Sequence, residues 1–189
     1  MVAIISLKFP FSSAFLTSLA LFSIALSTPS LASSKMPVPV ETFLESPELV
    51  GQTTFKVMLA RIFDAALYAP RGEFNQSRPF ALSLTYRRNF RGHKIVKKTI
   101  DEIRSQSGAS DEQLQAWKFQ LSSIIPNVGA SDTITGVRTA DAETLFFLDD
   151  QEIGRIADPA FTKSFFNIWL GEKTSQRKLR RQLIGTAQS

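Results

Sequence analysis

An alternating row of side chains between residues 82 and 88 ends on a cation. If this stretch is a strand, every second side chain points to the same face. These side chains are Leu82, Leu84, Tyr86 and Arg88. A guanidinium can donate two parallel hydrogen bonds to a carboxylate, while the apolar row contacts a hydrocarbon tail. The pattern therefore indicates binding of an amphipathic acid. The competing interpretation is that Arg88 only reaches solvent.

Further polar candidates lie on the preceding alternating stretch and in a break between two expected helices. Arg61 and Tyr68 are expected on a strand beside the row, although Arg61 can instead pair with Asp64 at the surface. Thr174 lies in this break, residues 171–175, which is expected to form one border of a pocket. The predicted ligand-binding residues are Arg88, Tyr86, Tyr68, Arg61 and Thr174.

The composition argues against several classes of site. The chain has one histidine and no cysteine, so metal sites built from the usual zinc, copper or haem ligands are not expected. No G-x-S-x-G elbow accompanies His93, and no glycine-rich phosphate signature occurs. We therefore name no catalytic residue and predict no metal and no cofactor.

Residues 1–32 have the pattern of a secretory signal peptide. Lys8 is their only charge, an apolar run follows from Phe9 to about Leu26, and small residues precede Ala32. Cleavage after Ala32 would leave residues 33–189 as a single domain in the periplasm or outside the cell. The alternative is an uncleaved membrane anchor, which the serines and threonine within the apolar run disfavour.

The chain is mildly basic, with a formal net charge of +5. Its cations gather in residues 87–98 and 177–181, which can meet anionic lipid or nucleic acid. An exported protein rarely meets nucleic acid, so no nucleic-acid partner is predicted. A solvated basic face is the simpler interpretation, and peripheral contact with an anionic membrane is the alternative.

The periodicity of apolar residues predicts strands, two helices, strands and two helices in that order. A period of two predicts strand structure around residues 55–67, as one bent strand or two consecutive strands. It predicts further strands around residues 80–88, 133–138, 143–148 and 152–156. A helical period follows Lys94, Ser110 with Gln113 forms a capping box, and Asp158-Pro159 begins a helix that Gly171 ends in a left-handed conformation. Ser175 is expected to cap the last helix and Gly185 to end it. The result is an α+β fold, an antiparallel sheet with helices layered on one face.

Aromatic side chains on these helices are expected to be core. They are Trp117, Phe161, Phe165, Phe166 and Trp169, all at helical spacing.

Three stretches together resemble the chalcone isomerase superfamily, in particular its exported bacterial branch. They are IFDAALYAP (62–70), LSLTYRRNFRGHKIVKKTIDEI (82–103) and IGRIADPAFTKSFFNIWLGEKTSQRKLRRQLIG (153–185). The resemblance implies an open-faced β-sandwich, in which a small-molecule cleft lies between a large antiparallel sheet and its helices. It also implies a choice between isomerases that close a flavanone ring and relatives that bind fatty acids.

The resemblance separates these two activities by residue. The isomerases of the family surround the developing phenolate with an arginine, a threonine, a tyrosine and an asparagine. The matching positions here are Gly51, Phe63, Ile95 and Glu102. Losing one such donor commonly costs about 3 kcal/mol in the barrier, so chalcone turnover is not expected. The R-D-x-x-G pattern of the fatty-acid-binding relatives matches residues 88–92, which implies that Arg88 binds a carboxylate, although Asn89 replaces the acid.

Three hypotheses follow. The leading one is an exported, non-catalytic protein that binds a small apolar or amphipathic carboxylic acid in a cleft between sheet and helices. The second is an intramolecular lyase or isomerase acting on a chalcone-like or other enone substrate. The third is an interaction module that uses its basic C-terminal helix, residues 177–181, at a membrane surface. No pattern specifies an oligomeric state.

Overall fold

Six strands pair in chain order into one antiparallel sheet. The computed structural model describes residues 36–185, and the predicted leader, residues 1–32, lies outside the described residues. The strands are β1 (Pro47–Val57), β2 (Ala60–Pro70), β3 (Phe80–Tyr86), β4 (Thr133–Arg138), β5 (Thr144–Leu148) and β6 (Gln151–Ile156). Each strand pairs with its sequence neighbour, so the sheet order is β1-β2-β3-β4-β5-β6. The predicted antiparallel sheet is therefore confirmed, and it includes every described strand.

Five helices complete the described part of the chain. They are α1 (Val38–Phe43), α2 (Gly92–Gln106), α3 (Asp111–Ile124), α4 (Pro159–Leu170) and α5 (Arg177–Ile184). Four of them, α2 to α5, pack on one face of the sheet and bury its main hydrophobic core. The predicted α+β class with helices layered on one face is confirmed. None of these helices is both long enough and apolar enough to cross a membrane.

The short helix α1 lies on the opposite face, where no helix was predicted. Val40 and Leu44 pack there against a second, smaller apolar cluster that includes Tyr68 and Phe147. Six residues are too few to show a helical period, so α1 has no sequence signature that a periodicity argument can find.

Several of the predicted helix caps are confirmed. The side chain of Ser110 accepts from the backbone N–H of Gln113, whose own side chain closes the capping box at the start of α3. Asp158 accepts from two backbone N–H groups at the start of α4. Gly185 ends α5 with φ 61°, the left-handed conformation expected of a terminal glycine.

Two details at the α4–α5 junction differ from the prediction. Gly171 has an extended backbone, with φ −74° and ψ 154°, rather than a left-handed one. Ser175 is not the cap of α5, because the helix begins at Arg177 and Gln176 occupies the cap position without a side-chain bond. The polar residue that orders this junction is instead Thr174, whose Oγ1 accepts from the backbone N–H of Gln176 at 3.0 Å.

A cluster of five phenylalanine rings fills the core near the beginning of β3. These rings, called here the closed aromatic cluster, are Phe80, Phe146, Phe161, Phe165 and Phe166. The ring centroids of Phe80 and Phe166 are 4.6 Å apart in an edge-on arrangement, which aromatic pairs favour. Trp117 is also buried, and its indole N–H donates to Asp158 at 2.8 Å. The prediction that the helical aromatic residues are core is confirmed for Trp117, Phe161, Phe165 and Phe166.

Candidate functional site

A pocket of about 460 Å³ opens near the end of β3, between the sheet and helices α2, α4 and α5. Its volume lies in the range usual for small-molecule sites, about 300–1,000 Å³. The sheet contributes mainly Phe55, Phe63, Leu84 and Tyr86 to its wall. The helices contribute chiefly Ile95, Ile168, Trp169 and Leu179. The wall is therefore largely apolar, with an aromatic floor.

The aromatic floor is a continuous chain of rings. Phe55 and Phe63 lie across the β1–β2 pairing and stack with centroids 5.0 Å apart. Phe63 meets Tyr86 edge-on at 6.2 Å, and Tyr86 lies 5.6 Å from Phe90 just before α2. This arrangement follows from the strand register, because Phe63 and Tyr86 are direct partners of β2 and β3.

The hydroxyl of Tyr86 is a polar group in this apolar wall. The side chain is only 6 % exposed, and the part of the chain that the structure describes gives its hydroxyl no hydrogen-bond partner. Burial raises the pKa of Tyr86 well above its ordinary value of 10.0, so the group stays a neutral O–H donor in water of ordinary pH. It can therefore donate a hydrogen bond to a ligand oxygen.

One face of α2 supplies a charged rim to the pocket. Lys94, Lys98 and Glu102 recur at a spacing of four residues and all line the opening. The ammonium of Lys98 lies 2.6 Å from Glu102. For Lys94, residues 36–185 offer no carboxylate within ion-pair distance. The rim therefore carries one neutralised pair and one cation that is available to an anion.

Glu102 also joins α2 to the segment between α4 and α5. The hydroxyl of Ser175 donates to the second oxygen of Glu102 at 3.3 Å. Burial by itself would raise the pKa of Glu102. The hydrogen bond and charge of Lys98, with smaller contributions from Ser175 and Gln106, outweigh it and hold the pKa below its ordinary value. Glu102 is therefore an ionised side chain in the pocket wall that links α2 to the segment between α4 and α5.

Of the five predicted ligand-binding residues, Tyr86 lines the pocket, and Arg88 is not part of its wall. Strand β3 ends at Tyr86, and the exposed Arg88 follows in a bend. The alternating row therefore stops one step before the cation. The carboxylate-binding role of Arg88 remains a prediction.

Tyr68 and Arg61 lie away from the pocket. Tyr68 packs beneath α1 on the opposite face, because it is five positions from Phe63 and a strand reverses its side chains at every residue. Arg61 is at the surface with its guanidinium 4.0 Å from Asp64, which is the alternative that the sequence left open. Arg87 also binds Asp64, with Nε at 2.7 Å.

Thr174 is next to the pocket without lining it. Its side chain is 2 % exposed, and its hydroxyl donates to the carbonyl of Ile168 at 2.6 Å. The following residues, Ser175 and Gln176, do line the pocket. Thr174 therefore positions this part of the wall from behind.

Periodicity alone did not identify several pocket residues. Helical spacing predicts that Trp169 is core, and in the structure it both packs against the core and lines the pocket. Phe55 lies on a strand and Phe90 in a loop, and only the pairing of the strands in the structure shows that both residues face the pocket. The residues with a readable signal were Lys94 and Lys98, since with Glu102 they repeat every fourth position on one helix.

The positions matched to the ring-closing residues converge on this pocket. Phe63, Ile95 and Glu102, which the resemblance matches to three of those residues, all line it. The fourth position, Gly51, lies on β1 directly under α5. A Cβ there would approach the carbonyl oxygen of Leu183 to 2.6 Å and overlap that of Gln182. The packing of α5 therefore leaves no space for an arginine side chain at this position.

Comparison with known proteins identifies the family. A family model described as chalcone isomerase-like matches residues 31–185. The chain belongs to the chalcone isomerase-like family. It is 25 % identical over 129 residues to an uncharacterised protein of Haemophilus influenzae, covering 68 % of this chain and 63 % of that relative. A solved fatty-acid binding protein of Arabidopsis thaliana has the same fold as this chalcone isomerase-like chain, with a TM-score of 0.57 at 12 % identity. The match covers 74 % of this chain and 87 % of the plant protein.

Metal binding has no visible site in residues 36–185. No three histidine or carboxylate side chains of this range converge at a distance suited to a cation. The chemistry that the pocket can offer includes the O–H donor of Tyr86, the unpaired ammonium of Lys94 and an apolar volume.

Proposed function

We propose that this chain binds an amphipathic monocarboxylic acid in the pocket and does not transform it. The observation that carries the proposal is the combination of a largely apolar volume of about 460 Å³ with one unpaired cation, Lys94, at its rim. The neutral hydroxyl of Tyr86 offers a second polar contact deeper in the wall. A solved relative in fold is a fatty-acid binding protein, which is consistent with this ligand class.

The apolar tail supplies most of the affinity in this proposal. Burial of about ten methylene groups is worth roughly 8 kcal/mol before ordering costs, at about 0.8 kcal/mol each. The Lys94 side chain is exposed, so its ion pair with a carboxylate contributes only about 1 kcal/mol. The cation therefore orients the ligand, and the aromatic floor holds it.

Chalcone cyclisation has little support from the site. None of the residues at the three pocket positions, Phe63, Ile95 and Glu102, can donate a hydrogen bond to a phenolate when Glu102 is ionised. Gly51 offers no side chain at all. Robust conversion of a chalcone by the purified protein would overturn the binding proposal in favour of the isomerase hypothesis.

The first experiment is native mass spectrometry of the full-length gene product purified from its own host. We expect a stoichiometric acid, released by solvent and identified by its mass. The same spectrum tests the proposed export, because cleavage after Ala32 would leave a protein that begins at Ser33. An empty protein that also takes up no added dodecanoate would contradict the binding proposal.

Titration of three variants with dodecanoate and with its methyl ester locates the head group. We expect Lys94→Gln to weaken dodecanoate binding about fivefold and to leave the uncharged ester unaffected, since about 1 kcal/mol corresponds to that factor. Lys97→Gln is the matched control, because Lys97 is on the same helix but pairs with Asp101 at 2.7 Å. A loss confined to Arg88→Gln would assign the head group to Arg88 instead.

A further inference from the structure

The turn between β1 and β2 exposes consecutive large apolar side chains. Met58 is 94 % exposed and Leu59 97 % exposed, and Val57 beside them is about half exposed. We call these three residues the hairpin tip. The hydrophobic effect favours removing such side chains from water, and the fold gives the outer two almost no burial. Core packing therefore does not explain their residue types.

The backbone conformation of the hairpin tip is also unfavourable for Met58. The turn has two residues, and Met58 has φ 54°. Glycine, asparagine or aspartate usually takes such a position because a larger side chain strains the backbone. A methionine that is both strained and fully exposed contributes little to the stability of the fold, so folding does not explain why this residue is here.

Cations surround the hairpin tip. Lys56 and Arg61 flank it on the two strands and are exposed. The first residues of α5, Arg177 and Lys178, lie toward the same end of the sheet. This follows because Leu183 packs over Gly51 and Leu179 lies further along β1 at the pocket. Among the acidic groups at this end, Asp64 and Glu102 are ion-paired, Asp132 accepts from the backbone N–H of Gly129, and residues 149–150 lie on the distant β5–β6 turn.

The hairpin tip continues into the mouth of the pocket. Val57 belongs to the tip and also lines the pocket, as does Ile62 on the returning strand. The opposite side of the mouth carries Lys94 and Lys98. A flat anionic surface in contact with the tip would therefore also lie against the pocket opening.

We propose that the hairpin tip docks the protein on an anionic lipid bilayer, with Met58 and Leu59 inserted among the head groups and the flanking cations on lipid phosphates. Apolar side chains beside cations are what an anionic membrane interface binds. A bilayer fits better than a protein partner, because a specific protein interface needs about 20–30 residues a side and the tip offers three. The proposal goes beyond ligand binding and requires no ligand.

A single fluorophore at the tip tests the docking. The chain has no cysteine, so Met58→Cys gives one labelling site in the full-length protein for an environment-sensitive dye such as nitrobenzoxadiazole. Vesicles of phosphatidylglycerol and phosphatidylcholine should shift its emission to the blue and raise it severalfold. Lipids brominated near the glycerol should quench it. Raising the salt concentration should reverse the change, since the cations act through screened charge.

Two other labelling sites are matched controls. Phe119→Cys replaces an exposed apolar side chain on α3, which is 78 % exposed, and Asp141→Cys is on the β4–β5 turn at the far end of the sheet. Neither dye should change its emission when vesicles are added. Replacing Lys56 and Arg61 by glutamine in the Met58→Cys protein should raise the lipid concentration at half-maximal change by about thirtyfold, since each cation near an anionic surface is worth about 1 kcal/mol.

Three results would overturn the proposal. One is an emission at position 58 that saturating vesicles leave unchanged. Another is an equal change at all three labelling sites, which would mean that the whole surface adsorbs without a defined tip. The third is a blue shift at position 58 that appears on concentrating the protein without lipid, because this would identify a second copy of the chain as the occupant. Acid binding is measured separately without vesicles, so either proposal can fail alone.

Discussion

The two ends of the helix-covered sheet face are built from the same kinds of side chain but differ in packing. The closed aromatic cluster has five rings that are at most 8 % exposed. The pocket has a comparable chain of rings from Phe55 to Phe90, and three of them, Phe55, Phe63 and Phe90, are only partly buried. The difference comes from how the helices meet the sheet at each end. Helix α4 presents three phenylalanines to the closed cluster, while side chains of α2, α4 and α5, including Trp169, border the pocket without filling it.

Aromatic content therefore does not distinguish a core from a binding site in this fold. What distinguishes them is whether the opposite layer carries enough side-chain volume to meet the rings. Protein interiors are normally close-packed, and here the rings are buried at one end and only partly buried at the other. The variants below test whether the two ends also differ energetically.

The largest expected difference is between Phe166→Ala and Phe63→Ala. Phe166 is fully buried in the closed aromatic cluster, so its truncation should cost about 3–5 kcal/mol of unfolding free energy. Phe63 faces a pocket, and its truncation should cost about 1 kcal/mol while enlarging the pocket. Urea denaturation of both variants measures the two costs. Equal costs would mean that the pocket end is packed as tightly as the cluster.

Alanine at two glycines compares the backbone fit of the helices at each end. At Gly51 the new Cβ would meet backbone carbonyls of α5, which cannot move without displacing the helix, so we expect a loss of about 1–3 kcal/mol. At Gly136 the Cβ would meet the ring of Phe165 at 3.3 Å, and a ring can shift by a few tenths of an ångström. Gly136→Ala should therefore cost less, as measured by denaturation.

Gly51→Ala should also weaken ligand binding, because α5 supplies Leu179 to the pocket wall. Gly136→Ala, at the closed end, should leave binding unchanged. Titration with dodecanoate separates these outcomes. A Gly51→Ala protein of wild-type stability would show that α5 is not held closely to β1.

The smallest expected effect on stability comes from the ionised carboxylate of Glu102 and depends on pH. Its pKa is lower in the folded protein than its ordinary value of 4.5, so ionisation stabilises the fold above that value. The contribution is lost as the pH falls through the lowered pKa. Glu102→Gln should therefore be less stable than the wild type by up to about 1 kcal/mol at pH 7, and equal to it in strong acid. A stability difference that persists unchanged in acid would contradict this assignment.

The sequence specified most of the fold because its local signals agree. Alternation located the strands, and the capping residues Ser110 and Asp158 located two helix starts. The placement of Tyr68 on the opposite face was also available from its odd separation from Phe63. The position of Arg88 was not, because a cation can continue an alternating row in sequence whether or not the strand continues.

The pocket itself depends on facts that no local pattern contains. Phe63 and Tyr86 meet because β2 and β3 adopt one register, and Phe55 joins them through the β1–β2 pairing. Whether Trp169 fills space or borders it depends on the height of α5 above the sheet. That height is set by Gly51, which lies more than a hundred residues away from Trp169 in the chain.

The order of the strands carries a consequence for how the molecule assembles. Each strand pairs with its neighbour in the chain, so most of the sheet can form through short loop closures, which are fast. The contact between α5 and β1 joins the two ends of the described chain and is the longest closure in the fold. We therefore expect helix α5 to be the last wall of the pocket to form and the first to detach in a local opening. Exchange of the amide hydrogens of α5 with solvent would report how often this helix detaches and opens the pocket, independently of the stability of the sheet.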